Sequence, residues 1–285
     1  MKILLTGADG QVGYELQRCL QGLGAVHACG RGRFDLSDLD RVRDGVRALR
    51  PDLIVNAAAY TAVDRAESES ELALRINAQA PGVMALEARA IGAAMVHFST
   101  DYVFGGDQDA PYAEDDAPHP LNVYGATKLL GEQAIIAAGI PHLILRTSWV
   151  YGMRGNNFLR TMLALAARQR EVRVVDDQIG APTWSRTVAQ TTADMLVQAR
   201  IGGPAWWRAQ GGTYHLAAGG ETSWAGFAQA IMEETGNDCR VVPISSSAYP
   251  TAARRPMNSR LNTSRLTTRF CRLPDWRDAL ALCLR

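Results

Sequence analysis

Short β-branched and leucine-rich runs recur along this chain between longer segments whose apolar positions return with helical period. The runs Lys2–Thr6, Ala25–Cys29, Leu53–Asn56, Ala94–Ser99, His142–Ser148, Val172–Val175 and Tyr214–Ala217 predict strands. Between them, Gln11–Gln21, Asp38–Leu49, Asn77–Ala90, Tyr124–Ala138, Asn156–Arg168 and Arg186–Arg200 predict helices. Such alternation marks βαβ units and a mostly parallel sheet covered on both faces, an α/β fold. Asp38 is a candidate N-cap for the second of these helices and Pro51 stops it, while Gly139-Ile140-Pro141 ends the helix that carries Tyr124. After about residue 200 the pattern turns to Gly-Gly-Pro, Trp206-Trp207, Gly211-Gly212 and proline-rich turns, with a last amphipathic stretch Trp276–Leu284. The expected division is a doubly wound large lobe of residues 1–151 plus about 172–200, and a smaller α+β lobe of about 152–171 and 201–285.

Composition changes this picture mainly by exclusion. With 30 basic residues against 29 acidic ones in 285, the net charge is +1, so no broad positive field selects nucleic acid or an anionic membrane. No apolar run is long enough to span a bilayer, and the start Met-Lys-Ile-Leu-Leu-Thr-Gly reads as a buried strand entering a turn. The cysteines Cys19, Cys29, Cys239, Cys271 and Cys283 are odd in number and form no CxxC, which disfavours a disulfide framework or a zinc site and points to the cytoplasm. The histidines His27, His97, His119, His142 and His215 share no metal-ligand spacing and read as structural or surface groups.

Candidate chemistry begins directly after the first strand. Gly7-Ala-Asp-Gly10-Gln-Val-Gly13 leads into a helix: Gly7 permits a tight turn, Gly10 lets the backbone approach a pyrophosphate, and Gly13 lets helix and strand pack closely. Strand, glycines and helix in this order predict a Rossmann-type dinucleotide site, with Gln11 and Val12 inside the turn. The second strand ends in Gly30-Arg31-Gly32-Arg33, two arginines and no carboxylate, which favours a ribose 2′-phosphate and hence NADPH; a solvated arginine loop, leaving NADH open, competes with that reading. Asp35, which could face the adenine, and Leu36 follow as further candidates, and the third strand ends in Asn56-Ala57-Ala58-Ala59-Tyr60, where Ala57, Ala58 and Tyr60 would lie along a cofactor.

Tyr124-Gly-Ala-Thr-Lys128 places a phenol and an amine one helical turn apart on one face. A tyrosine of pKa about 10 is protonated at neutral pH, and a nearby ammonium lowers that value, as a proton donor to a carbonyl requires. Phe98-Ser99-Thr100-Asp101 ends the fourth strand, where parallel sheets place ligands, so a hydroxyl there can hold a substrate oxygen beside Tyr124.

These motifs, with Ser99–Phe104, Pro120–Lys128, Arg146–Gly152, Asp177–Thr183, Ser247–Thr251 and Arg255–Asn262, resemble the extended short-chain dehydrogenase/reductase superfamily. Within it they resemble the dTDP-4-dehydrorhamnose reductase family over nearly the whole chain. The resemblance implies NAD(P)H-dependent reduction of the C4 ketone of dTDP-4-dehydro-L-rhamnose to dTDP-L-rhamnose, a precursor of cell-surface polysaccharide. It implies Tyr124 as proton donor, Thr100 as hydrogen-bond donor to the ketone, and Lys128 as ligand of the nicotinamide ribose. Asp101, Tyr102 and Trp149 would contact the sugar; for Trp149 core packing is an equal reading. Arg255 would clamp the diphosphate, with Arg254 as the substitute. Many relatives carry an acidic residue after Gly-Ala-Pro-Thr that helps bind magnesium at a dimer contact. This chain has Trp184-Ser185-Arg186 there, and Arg186 would repel the ion, leaving Glu15 alone, so the expectation is a monomer or a weak homodimer without metal. Another ketosugar reductase, a 4-epimerase, or a non-catalytic dinucleotide-binding regulatory subunit are the alternatives.

Overall fold

The computed structural model describes residues 1–285. In the first half every predicted strand forms: β1 (Lys2–Thr6), β2 (Ala25–Cys29), β3 (Leu53–Asn56), β4 (Ala94–Thr100) and β5 (His142–Thr147). They alternate with α1 (Gln11–Cys19), α2 (Leu39–Leu49), α3 (Ala80–Ile91) and α4 (Val123–Ala137). Asp38 caps α2 by accepting from the Arg41 N–H. The predicted start of α3 at Asn77 is instead a π-helical turn over Arg75–Gln79, in which the buried Asn77 side chain turns back to bind the Tyr60 backbone.

Beyond residue 150 come α5 (Phe158–Ala166), β6 (Glu171–Val175), α6 (Ser185–Gln210), β7 (Gly212–His215), α7 (Trp224–Thr235), β8 (Arg240–Ile244) and α8 (Trp276–Leu284). The large sheet is all parallel in the order β7-β5-β4-β3-β1-β2, so the strand order reverses at β1 and β3. Its strands are apolar on both faces. Ile3, Leu5, Val55 and Val96 pack against α1 and α6, while Leu4, Ile54, Met95 and Ile144 pack against α2 and α3.

Two segments fall outside the expected division of lobes. Strand β6, expected in the large lobe, pairs with β8 and buries Val172 and Val174 among Leu159, Phe227 and Ile231 of the small lobe. Strand β7, expected in the small lobe, completes the large sheet beside β5, where Tyr214 is fully buried. Helix α6, expected to stop near Arg200, is interrupted at Gly203, whose backbone is not helical (φ 57°), close to that expected end; a second helical segment then runs from Pro204 to Gln210, so Trp206 and Trp207 pack on the large-lobe core. Helix α7 and strand β8 were not expected from the pattern. The core sorts these segments by their apolar side chains, and a longer loop costs little extra entropy.

Candidate functional site

The carboxyl ends of β1, β3 and β4 open on one edge of the sheet, at the reversal of strand order where open α/β sheets bind ligands. Gly7 sits there with φ +69°, and a Cβ on Gly13 would lie 2.0 Å from the Gly7 carbonyl oxygen, so only glycine allows α1 to start this close to β1. A Cβ on Gly7 would meet the backbone of Ala57 and Ala58 at 2.6 Å, which puts the end of β3 against the turn. Gly10 is the N-cap of α1 and no side chain caps it; no acidic residue lies in the first turn. The backbone N–H groups of Gln11, Val12 and Gly13 are thus free to meet a diphosphate, and the turn fits the dinucleotide expected from the sequence. The Gln11 side chain is already engaged: its carbonyl accepts from Asn157 at 2.8 Å and its amide donates to the Val150 carbonyl at 3.4 Å, tying the turn to the small lobe.

At the end of β2, Arg31 is exposed and its guanidinium lies 3.7 Å from Asp35. Asp35 accepts from the N–H and hydroxyl of Ser37, which holds its carboxyl below the usual range. Leu36 is buried in the core beside α2, so its side chain is not offered to a ligand. Tyr60 donates its hydroxyl to Glu69 at 2.5 Å and is held through its backbone by Asn77.

The end of β4 and the start of α4 bring Thr100, Asp101, Tyr102, Tyr124 and Lys128 together. Helix α4 begins at Asn122, whose side chain accepts from Gly125 N–H and donates to the Arg254 carbonyl, both at 2.8 Å. A Cβ on Gly125 would stand 2.1 Å from the Tyr102 carbonyl oxygen, so the glycine inside the Tyr–Lys spacing lets α4 press onto the β4 end. The rings of Tyr102 and Tyr124 meet edge to face, 5.6 Å apart. The Thr100 hydroxyl donates to Asp101 at 3.0 Å and accepts from the Tyr102 N–H.

Lys128 corrects one expectation. Its amine does not lower the Tyr124 pKa, because it is buried against β4, donating to the Phe98 carbonyl at 2.6 Å and lying 3.2 Å from His97 Nε2. Burial of the Tyr124 hydroxyl away from water instead pushes its pKa up to about 12, a rise that the Thr100 hydroxyl moderates and the Asp101 carboxylate adds to. Tyr124 is therefore fully protonated at neutral pH, and the proton leaves only when a strong acceptor forms beside it. Burial likewise lowers Lys128 to about 8, with Glu132 opposing the shift.

Asp101 is the sharpest electrostatic feature. Burial raises its pKa from 3.8 to about 6, against hydrogen bonds from Ser259 and Thr100, and its Oδ2 has no partner. A raised carboxyl favours folding below the unfolded pKa, and that contribution disappears as pH rises through about 6. Asp101→Asn is therefore expected to be more stable than the parent by about 2–3 kcal/mol at pH 7 and to lose that advantage near pH 4. Urea melts at the two pH values measure the difference; an advantage independent of pH would contradict the assignment.

A cavity of about 830 Å³ opens in the small lobe, lined by Phe158, Arg173, Trp224, Tyr249, Arg254 and Arg255 among others; Gly105 and Gly106 also line it, whereas Thr100, Asp101, Tyr102 and Tyr124 do not. Arg255 lines it but is held by Asp64, at 2.7 Å and 3.2 Å. Trp149, expected at the sugar pocket, is absent from this lining. It lies behind Trp224, stacked on it at 3.6 Å, with a Gly180 Cβ excluded at 2.6 Å. Its φ of +48° is a conformation that bulky residues rarely adopt, so packing on both sides holds it. Asp64, Asn77, His97, Trp224 and Ser259 were not among the expected site residues. Only the register of distant segments brings them here.

The family model described as RmlD substrate binding domain matches residues 1–285. A dTDP-4-dehydrorhamnose reductase of Burkholderia thailandensis is 48% identical and covers 100% of this chain and 98% of its own length. The one from Escherichia coli K12 is 47% identical over 97% of this chain and 94% of its own. A solved structure of dTDP-4-dehydrorhamnose reductase from Bacillus anthracis, in complex with NADP, superposes with a TM-score of 0.89 at 36% identity, covering 100% of this chain and 99% of the other. With a match from end to end and sequence identity near one half, this chain belongs to the RmlD family of dTDP-4-dehydrorhamnose reductases.

Proposed function

We propose that the protein reduces the C4 ketone of dTDP-4-dehydro-L-rhamnose to dTDP-L-rhamnose with NADPH. The observation that carries this is the convergence of Thr100, Tyr124 and Lys128 beside an uncapped glycine turn at the strand-order reversal. Bound NADPH supplies the hydride. Gln11, Val12 and Gly13 would hold its diphosphate through backbone N–H groups, with Gly7 and Gly10 shaping the turn, in which the Gly10 N–H donates to the Gly7 carbonyl at 2.9 Å; Arg31, with Asp35 and the Leu36 backbone, would take the adenosine end, and Ala57, Ala58 and Tyr60 would line its course. Tyr124 gives its proton to the carbonyl oxygen as negative charge builds there, and Thr100 orients that oxygen. Lys128 would anchor the nicotinamide ribose. Asp101 and Tyr102 bind the sugar, Trp149 backs Trp224 at its pocket, and Arg255 with Arg254 meets the diphosphate.

Gly13→Ala tests the cofactor turn. It is expected to weaken NADPH binding, read by fluorescence titration, by about tenfold or more, because the new methyl forces α1 off the turn. Unchanged affinity would place the cofactor elsewhere. The substrate reading is tested by NADPH absorbance with the ketosugar generated in situ; no consumption by a folded, NADPH-binding protein would shift weight to another nucleotide ketosugar.

No helix is long and apolar enough to cross a membrane. All five cysteines are free, which supports action in the reducing cytoplasm. The large lobe, as the cofactor-binding unit, comprises residues 1–147 with α6 and β7, and the remaining C-terminal segments form the sugar-nucleotide lobe. Arg186 stands 5.8 Å over the Trp184 ring, a cation at the position where the family resemblance leads one to expect an acid. This supports a monomer or weak homodimer that needs no magnesium.

A further inference from the structure

Thr6, Asn56 and His97 are register partners on three adjacent strands, β1, β3 and β4, and all three are buried. Their side chains form one row across the sheet: Thr6 Oγ1 donates to Asn56 Oδ1 at 2.6 Å, Asn56 Nδ2 lies 3.0 Å from His97 Nδ1, and His97 Nε2 lies 3.2 Å from Lys128 Nζ. A backbone group fixes the direction of the row. The Ala58 N–H, which can only donate, also points at Asn56 Oδ1, at 3.3 Å. The amide nitrogen of Asn56 must therefore face His97 and donate to Nδ1. A neutral imidazole carries one N–H, so with Nδ1 committed as acceptor the proton sits on Nε2 and points at Lys128. An ammonium has no lone pair to receive it, whereas a neutral amine does. The other arrangement, an ammonium donating to Nε2, needs a proton on Nδ1 and a reversed Asn56, which sets the Asn56 NH₂ against the Ala58 N–H.

We infer that the Thr6–Asn56–His97 row is a positioning device that fixes the His97 tautomer, holds the Lys128 amine against the Phe98 carbonyl and weakens its ammonium form. Burial keeps His97 itself neutral, well below its ordinary pKa. The other charged groups near Lys128 do not cancel this effect. Glu132, one turn along α4, favours the ammonium but is shared with Arg146 of β5, which it binds through three contacts of 2.7–3.2 Å. Asp101 at the end of β4 acts on Tyr124. Lys128 then changes charge within the working pH range. The kinetic consequence, which rests on the function proposed above, is that His97 sets the alkaline limb of the reaction: as Lys128 deprotonates, the charge-assisted hydrogen bond by which it would hold the nicotinamide ribose weakens.

The composition makes a direct test simple, because Lys2 and Lys128 are the only lysines in the chain. With ¹³C at the lysine ε-carbons, NMR titration gives one exposed reference and one buried signal, with no substrate present. Lys128 is expected to titrate at about 8. His97→Gln, which can turn a carbonyl toward the amine, and Asn56→Asp, which demands a proton on Nδ1, should each raise that midpoint by about one unit. In ¹⁵N-histidine spectra of the unaltered protein, His97 should be protonated on Nε2 alone. The alkaline limb of kcat should move upward with the Lys128 midpoint in His97→Gln, with KM for the sugar changed less than about twofold. A proton on Nδ1, or a Lys128 midpoint that neither variant moves, overturns the inference. A shifted midpoint in a protein that reduces no ketosugar upholds the row and rejects the reaction instead.

Discussion

Tyr124→Phe is expected to lower kcat by about 10²–10⁴-fold, the contribution of a positioned proton donor, while the protein stays folded and keeps NADPH affinity. The substitution removes one oxygen and leaves the ring that meets Tyr102 edge to face at 5.6 Å. Because Tyr124 has a pKa near 12, it is protonated throughout the neutral range, so the loss should be the same at pH 6 and pH 8. The measurement is ketosugar-dependent NADPH oxidation at saturating cofactor, with cofactor binding measured separately. Activity within tenfold of the parent would make Thr100 or a bound water the donor, and Thr100→Val would then distinguish these.

The second large effect concerns stability. Arg146 on β5 and Glu132 on α4 are both almost wholly buried and bind each other side-on, while the guanidinium also donates to the Glu114 carbonyl at 3.3 Å. Arg146→Met leaves the Glu132 carboxylate buried without its cation and should cost about 3–5 kcal/mol, a fall in Tm on the order of 10 °C. Adding Glu132→Leu should recover much of that loss, since two apolar side chains in the same space do not need each other's charge. A double variant as unstable as the single one would show that Arg146 matters through Glu114 and its packing over Phe104 instead.

The first half of the molecule was readable because its code is local. Strand β1 ends where the glycine turn begins, Asp38 caps α2 three residues before the N–H it accepts, and the Tyr124–Lys128 spacing needs only one helical turn. The small lobe was less readable because its code is not local. Strand β6 finds β8 only across the whole of α6, β7 and α7, and nothing in Val172–Val175 itself distinguishes that partner from an edge of the large sheet. The site divides in the same way. Thr100, Tyr124 and Lys128 announce themselves by spacing, but the partners that set their proton affinities do so only through register. His97 reads as an ordinary strand histidine until β3 places Asn56 beside it, and Asp64 reads as a surface acid until Arg255 arrives from residues near the other end of the chain.

The late arrival of β7 also bears on how the protein is made. When β5 leaves the ribosome, four strands of the sheet can already pair, but the outer edge of β5 must wait for Gly212–His215, a delay of seconds at about 5–20 residues per second. During that interval an apolar strand edge, Leu143 and Leu145 included, is open to pairing with other chains, and a ribosome that stalls before β7 would release a nascent chain prone to aggregate.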